Sequence, residues 1–492
     1  MKITLNSDIQ SSDNLSIING QHNDSEPVGI KVAAIDESLL LHQTVDILLA
    51  GNTDTKCEVE LTGTCLQYRY RDNRLKDKCK IIYVVDIIGC SVSDATDESK
   101  VVLNIIAYRI RRGRRKRKSV KLVFSGYGSR DHNYEEAIKW KRTIMSLNYG
   151  PYGITGHGRH KPLMFIVNPK SGRGRALKIF EDFVKPLLKE SETLYELQIT
   201  DHANHALELM RDTDDLTRYR AVVVVSGDGL LYEVVNGLTK RMDTITEERL
   251  PVTLGIIPGG SGNGLAHSVN QAFLNHQKAV DSIYDCVLHV LQGHPLPMDL
   301  VRVTTEQNVY FSFLSLGWGL MADIDIESER LRALGEPRFT IYALYRSFAL
   351  RKNRARLSYL PTQTDSSDVP VLAEPVGKDW VTIDDQFIQI YASYQSHINS
   401  TAIFAPEATL DDGIIWLLFL RSKVSRRQVI QFLLALEKGR HPALPYVDFV
   451  PVRAFRIEPY NNIGKMTVDG ELVESGPIQA EVVPRMATIL TR

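Results

Sequence analysis

From Gly29 to Phe124, short apolar runs alternate with polar turns. Gly29–Ile35, Thr44–Leu49, Lys80–Ile88, Val101–Arg109 and Ser119–Phe124 each read as a strand. Asp131 or Asn133 can cap a following helix, in which Tyr134, Ala137, Trp140, Ile144 and Leu147 recur at helical spacing. Residues 1–28, rich in Ser, Asn and Asp, show no such periodicity and predict a flexible segment.

Beyond a Gly/His/Pro-rich stretch at 150–161, the pattern changes. Met164–Val167, Tyr195–Ile199, Ala221–Val225 and Thr253–Ile257 are apolar strands. Helical spacing intervenes at Ala176, Ile179, Phe180 and Phe183, at Ala203, Ala206, Leu207 and Met210, and over Leu230–Asn236. Such alternation predicts an α/β domain with a parallel sheet over residues 160–297. After Met298 strands return at Met298–Thr304, Val309–Leu316, Phe387–Tyr394, Ile414–Leu420, Arg453–Glu458 and Lys465–Val468. Helices are predicted only at Ile326–Leu334, Thr340–Leu350 and Arg426–Leu436, so residues 298–492 read as a C-terminal β-sandwich domain. Pro361–Asp379 reads as a mobile loop. The N-terminal region, 29–150, with its strands closed by one amphipathic helix, resembles a pleckstrin-homology (PH-like) module. An unclassified β-rich domain is the other reading.

Composition narrows the class. Of 492 residues, 43% are hydrophobic and 24% charged, an ordinary globular mixture. The 59 basic and 59 acidic residues cancel, which argues against a polycationic nucleic-acid binder. Five cysteines without a CxxC pair suggest a reducing, cytoplasmic setting rather than a disulfide or zinc framework. The N-terminus turns polar too soon for a signal peptide, and Lys2 stands where myristoylation needs glycine. Ile414–Leu420, among the longest apolar runs, is far short of the roughly 20 residues of a spanning helix. Membrane contact is therefore expected to be peripheral. One local feature escapes the zero balance: nine basic residues crowd between Arg109 and Lys121. The run reads as a loop between strands and admits three roles: a solvated loop, a nuclear-import signal, or a patch for an anionic membrane surface. The last is favoured if the substrate is a lipid.

Candidate chemistry stands at the ends of the α/β strands, where open sheets bind ligands. Asn168-Pro169-Lys170-Ser171-Gly172-Arg173-Gly174 follows the first strand, Ser226-Gly227-Asp228-Gly229-Leu230 the third, and Pro258-Gly259-Gly260-Ser261-Gly262-Asn263-Gly264 the fourth. Glycine lets the backbone approach a phosphate, and the following helix offers free N–H groups. A P-loop is excluded because no G-x-x-x-x-G-K-[ST] run occurs, and no G-x-G-x-x-G has the offset of a dinucleotide site. Asp228, between two glycines past a buried strand, is placed to accept a hydroxyl proton.

Further on come Glu233-Val234-Val235-Asn236-Gly237, Gly317-Trp318-Gly319, Ala322-Asp323-Ile324-Asp325-Ile326-Glu327-Ser328-Glu329 and Val468-Asp469-Gly470-Glu471. Together and in this order, from about Leu163 to the C-terminus, these motifs resemble those of the sphingosine kinases, within the diacylglycerol-kinase-like lipid kinase superfamily. The resemblance implies transfer of the ATP γ-phosphate to the primary hydroxyl of a sphingoid base, with ATP and Mg²⁺ as cofactors. It implies Asp228 as general base and an ATP site built from Asn168, Pro169, Lys170, Ser171 and Gly172, from Gly227, Gly229 and Glu233, and from Gly260, Ser261, Gly262 and Asn263. Thr200 and Asn204 join that site, although His202 stands near the place of a family arginine. Arg332 and Arg338 would contact phosphates, and Asp469, Gly470 and Glu471 would close the nucleotide site. Substrate residues would be Ser226, Asp228 and Asp325, the last facing the ammonium of the base, with Leu320, Met321, Ile324 and Phe339 around the alkyl chain. The protein ligands of Mg²⁺ stay unassigned.

Blander roles remain for several of these. Asp228 could cap its own helix, Arg332 and Arg338 could form surface salt bridges, and Asp469-Gly470 suits a hairpin turn. A ceramide or other lipid kinase, or a catalytically silent lipid-binding adaptor, are the alternative functions. A nicotinamide-nucleotide kinase is disfavoured by the Gly317–Glu329 segment.

Overall fold

The computed structural model describes residues 39–48, 54–70, 79–95, 99–149, 161–241, 249–274, 283–334, 337–364, 368–460 and 463–492. The segment 1–28, the strand expected at Gly29–Ile35 and most of the 150–161 stretch lie outside these residues.

The N-terminal domain is an antiparallel sheet of β1 (Leu39–Leu48), β2 (Asp54–Thr62), β3 (Cys65–Tyr70), β4 (Lys80–Tyr83), β5 (Ile87–Asp94), β6 (Val101–Arg111) and β7 (Arg114–Phe124), ordered β4-β3-β2-β1-β7-β6-β5. Alternate residues such as Cys57, Val59 and Leu61 point into its core. Helix α1 (Arg130–Tyr149) covers the core with Ala137, Trp140 and Ile144. The basic run is not a loop. It forms the β6–β7 hairpin, turning at Arg112 (φ 53°) and Gly113 (φ 72°), both in the left-handed region that a tight two-residue hairpin requires.

The α/β domain has parallel strands β8 (Leu163–Val167), β9 (Tyr195–Ile199), β10 (Ala221–Ser226) and β11 (Leu254–Pro258), ordered β9-β8-β10-β11. Each strand feeds two cores. Met164, Ile166, Val222 and Val224 face one, and Leu163, Phe165, Val223 and Val225 the other. Its helices are α2 (Ser171–Gly174), α3 (Ala176–Ile179), α4 (Lys185–Glu190), α5 (His205–Asp212), α6 (Asp228–Thr239), α7 (Gly264–Leu274) and α8 (Ile283–Gln292).

The remaining strands are β12 (His294–Thr305), β13 (Val309–Ser312), β14 (Ser315–Gly319), β15 (Asn353–Pro361), β16 (Val381–Ser393), β17 (Ile415–Arg421), β18 (Asp448–Pro459), β19 (Met466–Val468), β20 (Glu471–Val473) and β21 (Ile478–Thr491). They enclose a sandwich core, and α9 (Leu320–Ser328), α10 (Pro337–Phe348) and α11 (Arg426–Leu436) bury a second apolar cluster beside it. Strand β21 belongs to both domains: it is antiparallel to β12 and β18 and parallel to β11, so the two sheets are continuous. The described part of the loop expected to be mobile is tied down. Arg456 donates to the carbonyls of Glu374 (2.6 Å) and Val371 (3.1 Å), and Trp380 is buried.

The N-terminal domain is docked on the α/β domain. Arg115, buried in β7, donates to Asp285 of α8 (2.5 Å) and to Asp86 (2.6 Å), and Arg117 donates to Glu190 of α4 (2.5 Å). Ile88, Ile106 and Tyr108 enter the same apolar cluster as Leu187 and Leu188. Two members of the basic run are therefore engaged within the molecule. No helix among the described residues is long and apolar enough to cross a membrane.

Candidate active site

The loops after β8, β10 and β11 are knitted together by one side chain. The Ser171 hydroxyl donates to the Gly259 carbonyl (3.3 Å) and accepts from the Gly227 N–H (3.2 Å). Their spacing leaves no room for side chains. A Cβ on Gly172, at φ 57°, would strike the Gly259 carbonyl, and one on Gly260 would strike the Gly227 backbone. The glycines thus let the loops approach each other as well as a ligand. Asn263 closes its own loop through both amide atoms onto Gly260, at 2.9 and 3.0 Å.

Asp228 opens α6 directly after β10 and is buried. Its carboxylate does not cap its own helix. It accepts from the N–H groups of Gly264 (2.9 Å) and Leu265 (3.4 Å), at the start of α7. Two helix amino ends therefore surround it, a setting that favours an anion. Burial nevertheless raises its pKa, outweighing these N–H donors. A carboxylate has about four acceptor positions, so capacity remains for a substrate proton. Glu233, about one turn on, accepts from the Ala206 N–H (3.2 Å) and is also raised by burial.

Asp469 sits in a left-handed turn (φ 51°) and clasps the β13–β14 connection. It accepts from the Ser312 hydroxyl (2.6 Å) and from the N–H groups of Phe313 (3.1 Å), Leu314 (2.9 Å) and Ser315 (2.9 Å). Burial pushes its carboxyl up to about 6 against those four donors. Glu471 reaches the β10 loop: a Cβ on Gly229 would lie 2.6 Å from its Oε1.

On α9, burial pushes the Asp325 carboxyl up to about 7, opposed by the Arg338 guanidinium. Arg338 is buried and donates to Glu329 (2.7 Å), and its Nε has no hydrogen-bond partner among the described residues. Behind Asp325, Asp323 and Glu327 both accept from the buried Arg346 of α10, at 2.5 and 3.0 Å, which fastens α10 to α9.

Asp228, Glu233, Asp325, Arg338, Asp469 and Glu471 border one cavity of about 1030 Å³. Its polar wall comes from the α/β loops, and its apolar wall from α9, α10, α11 and the segment after β16. Every residue expected at the site borders it except five. Pro169, Asn204, Asn263 and Leu320 do not. Asn204 caps α5 in a left-handed conformation (φ 66°) and is exposed, while Asp201 and His202 border the cavity in its stead. Leu320 is buried in the core beneath α9. The side chain of Arg332 lies outside the described residues. Sequence reasoning missed Tyr391, Ile398, Asn399 and Ala402, and Leu433 and Leu436 of α11. Their apolar spacing predicts strand and helix but carries no sign of a site.

Residues 162–303 match the diacylglycerol kinase catalytic domain, and residues 382–491 match the YegS C-terminal NAD kinase beta sandwich-like domain. The chain is 40% identical to human Sphingosine kinase 1 over 357 residues, 68% of this chain and 91% of that protein. It is 29% identical to human Sphingosine kinase 2 over 558 aligned residues, 84% of this chain and 85% of that one. Arabidopsis thaliana Sphingosine kinase 1 is 30% identical over 375 residues, 72% and 76% of the two chains.

Proposed function

The chain belongs to the sphingosine kinases, ATP-dependent lipid kinases of the diacylglycerol-kinase-like superfamily, and from that premise we propose how the work is divided within the cavity. The polar wall takes ATP, and the apolar wall takes the alkyl chain of a sphingoid base. Asp228 accepts the proton of the primary hydroxyl as that oxygen attacks the γ-phosphorus and ADP leaves. Its raised pKa suits a group that must take up a proton. Arg338, which borders the cavity and gives Glu329 only one of its N–H groups, meets phosphate with its remaining donors. Asp325 faces the ammonium of the base, which diacylglycerol lacks. The observation that carries this reading is the single cavity joining Asp228 and the glycine loops to an apolar wall that includes Asp325.

The oxygen donors present suit Mg²⁺. Glu471, whose Oε1 reaches Gly229 at the start of α6, would hold it with the nucleotide phosphates, and there it would neutralise charge on the transferring group. Asp469 is already committed to its four donors.

Membrane contact is peripheral in this reading, for a protein acting from the cytoplasm. Arg111, Arg112, Arg114, Lys116 and Lys118 remain exposed on the β6–β7 hairpin. Helix α10 separately presents Ile341, Leu344, Tyr345 and Phe348, spaced along one face and 47–60% exposed. Leu344 also borders the cavity, which gives a lipid an apolar path inward.

A labelled-ATP assay across sphingosine, ceramide and diacylglycerol, with native protein and Asp228→Asn, tests the assignment. Sphingosine should be preferred, and Asp228→Asn should lose about 10²-fold or more in turnover while still binding ATP. Comparable turnover of diacylglycerol would overturn the role of Asp325, and substantial turnover by Asp228→Asn would overturn the base.

A further inference from the structure

Gly317, in the Gly317-Trp318-Gly319 motif of β14, stands directly across from Tyr391 of β16. A Cβ on Gly317 would lie 2.9 Å from Tyr391 Cδ2 and 3.0 Å from Cε2, so a side chain there would displace the ring. The buried ring also packs against Phe404, with centroids 5.2 Å apart. Held in this way, it carries its hydroxyl to Ser315, where it donates to Oγ at 3.0 Å. Tyr391 and Ser315 both border the cavity. Among the described residues, this is the only hydrogen bond that either hydroxyl makes. We propose that Tyr391, paired with Ser315, binds the secondary hydroxyl of the sphingoid base, one carbon beyond the amine, and so sets a preference for bases that carry it. This rests on the division of the cavity given above, with Asp228 on the primary hydroxyl and Asp325 on the ammonium.

The chemistry of the pair matches a hydroxyl. Two hydroxyls bonded to each other share one hydrogen and keep the other. Whichever way the shared hydrogen points, the pair retains one donor and at least one acceptor. A ligand hydroxyl, which both donates and accepts, uses the two together. A carbonyl uses only the donor, an ammonium only the acceptor and a methylene neither. Each of these leaves a buried polar group of the pair unpaired, which costs binding energy.

The placement matches as well. Burial pushes the Tyr391 pKa up, and the carboxylates of Asp325, Asp469 and Asp228 add to it, Asp325 most of the three. The hydroxyl therefore stays un-ionised, and it feels most strongly the acid that faces the ammonium. In the base, the secondary hydroxyl stands one carbon from the amine carbon and two from the carbon of the primary hydroxyl. Neither hydroxyl of the pair is bonded to Asp228 or to the glycine loops. Removing one should therefore change how the base is held and spare the groups that act on phosphate.

The test measures kcat/KM of the full chain at saturating Mg²⁺–ATP for two detergent-dispersed bases. One is sphinganine, and the other is 2-aminooctadecan-1-ol, which differs only in lacking the secondary hydroxyl. Native protein should prefer sphinganine by about tenfold or more. Tyr391→Phe keeps the ring. It should lower kcat/KM for sphinganine by about tenfold and change that for the deoxy base by less than about twofold, so that the preference collapses. Ser315→Ala, which keeps the N–H that Asp469 accepts, should act in the same way. Asp325→Asn should weaken both bases alike, because both carry the ammonium. Equal losses for the two bases in Tyr391→Phe, or no preference in native protein, would overturn the proposal even with Asp325→Asn behaving as expected. A collapse of preference in Tyr391→Phe with no effect of Asp325→Asn would support it and overturn the ammonium assignment instead.

Discussion

If Asp325 faces the ammonium of the base, as proposed, recognition of that amine depends on pH. Its carboxyl is pushed up to about 7 by burial, although it opens onto the cavity, where water tempers the shift. An alkyl amine stays protonated between pH 6 and 8, so the carboxylate is the partner that titrates in this window. If the cation binds only ionised Asp325, the apparent KM for sphingosine scales with the fraction ionised. It should rise about 11-fold at pH 6 and about twofold at pH 7, and hardly at all at pH 8. The KM for ATP should not follow that curve. Initial rates on detergent-dispersed sphingosine at saturating Mg²⁺–ATP, from pH 6 to 8, measure this. Asp325→Asn should flatten the profile and raise the sphingosine KM at pH 8 by about 30-fold, the equivalent of about 2 kcal/mol for losing one partner of a buried ion pair. Stability should move the opposite way. The folded-state pKa lies above the ordinary 3.8, so the stabilisation from protonating Asp325 is complete below about pH 4 and lost as pH rises through about 7. The full difference is at most about 4 kcal/mol and less with partial exposure, so Asp325→Asn should melt higher than native protein at pH 8. A sphingosine KM that stays flat from pH 6 to 8, or one unchanged in Asp325→Asn, would refute the reasoning.

Arg115→Ala removes the buried cation that Asp86 and Asp285 share in the domain interface and should cost about 3–5 kcal/mol in urea unfolding. A cost below about 1 kcal/mol would mean that the interface rests on its apolar part. Replacing Arg111, Arg112, Arg114, Lys116 and Lys118 by Gln, with Arg115 and Arg117 kept, should weaken sedimentation with anionic vesicles by about 1 kcal/mol per residue at low salt. Unchanged sedimentation would leave the α10 face as the membrane contact. Asp469→Asn should lower stability by about 1–3 kcal/mol, because the amide cannot accept from all four donors. A raised ATP KM with no loss of stability would instead make Asp469 a nucleotide contact.

The glycine loops that meet at the cavity were legible because glycine, serine and aspartate at strand ends have few other uses. Local periodicity likewise revealed the parallel strands, since Leu163–Val167 and Ala221–Ser226 are apolar throughout. What Asp228 does locally was not legible: the N–H groups it accepts from belong to Gly264 and Leu265, which only the fold brings near. Asp469 was read as a nucleotide residue or a plain turn, and its clasp on Ser312–Ser315 spans more than 150 positions of sequence. The basic run misled in a different way. Lysine and arginine at consecutive positions suggest a solvated loop, yet a strand exposes alternate residues, and Arg115 points inward to two acids. The apolar wall from α11 carried no signal because a leucine lining a cavity and a leucine filling a core have the same spacing.

Strand β21 has a consequence for the order in which the chain can fold. During synthesis the α/β strands emerge early, but the edge of β11 meets no neighbour until Ile489 has been made. The edge of β18 waits for the same strand. Vectorial, unit-by-unit maturation, the usual route for multidomain chains, therefore cannot complete either sheet alone. Both sheets close together, late and through contacts remote in sequence, which slows folding and leaves two sticky edges open in the meantime. A nascent chain stalled before Ile478 should be a strong client for chaperones, however complete its glycine loops.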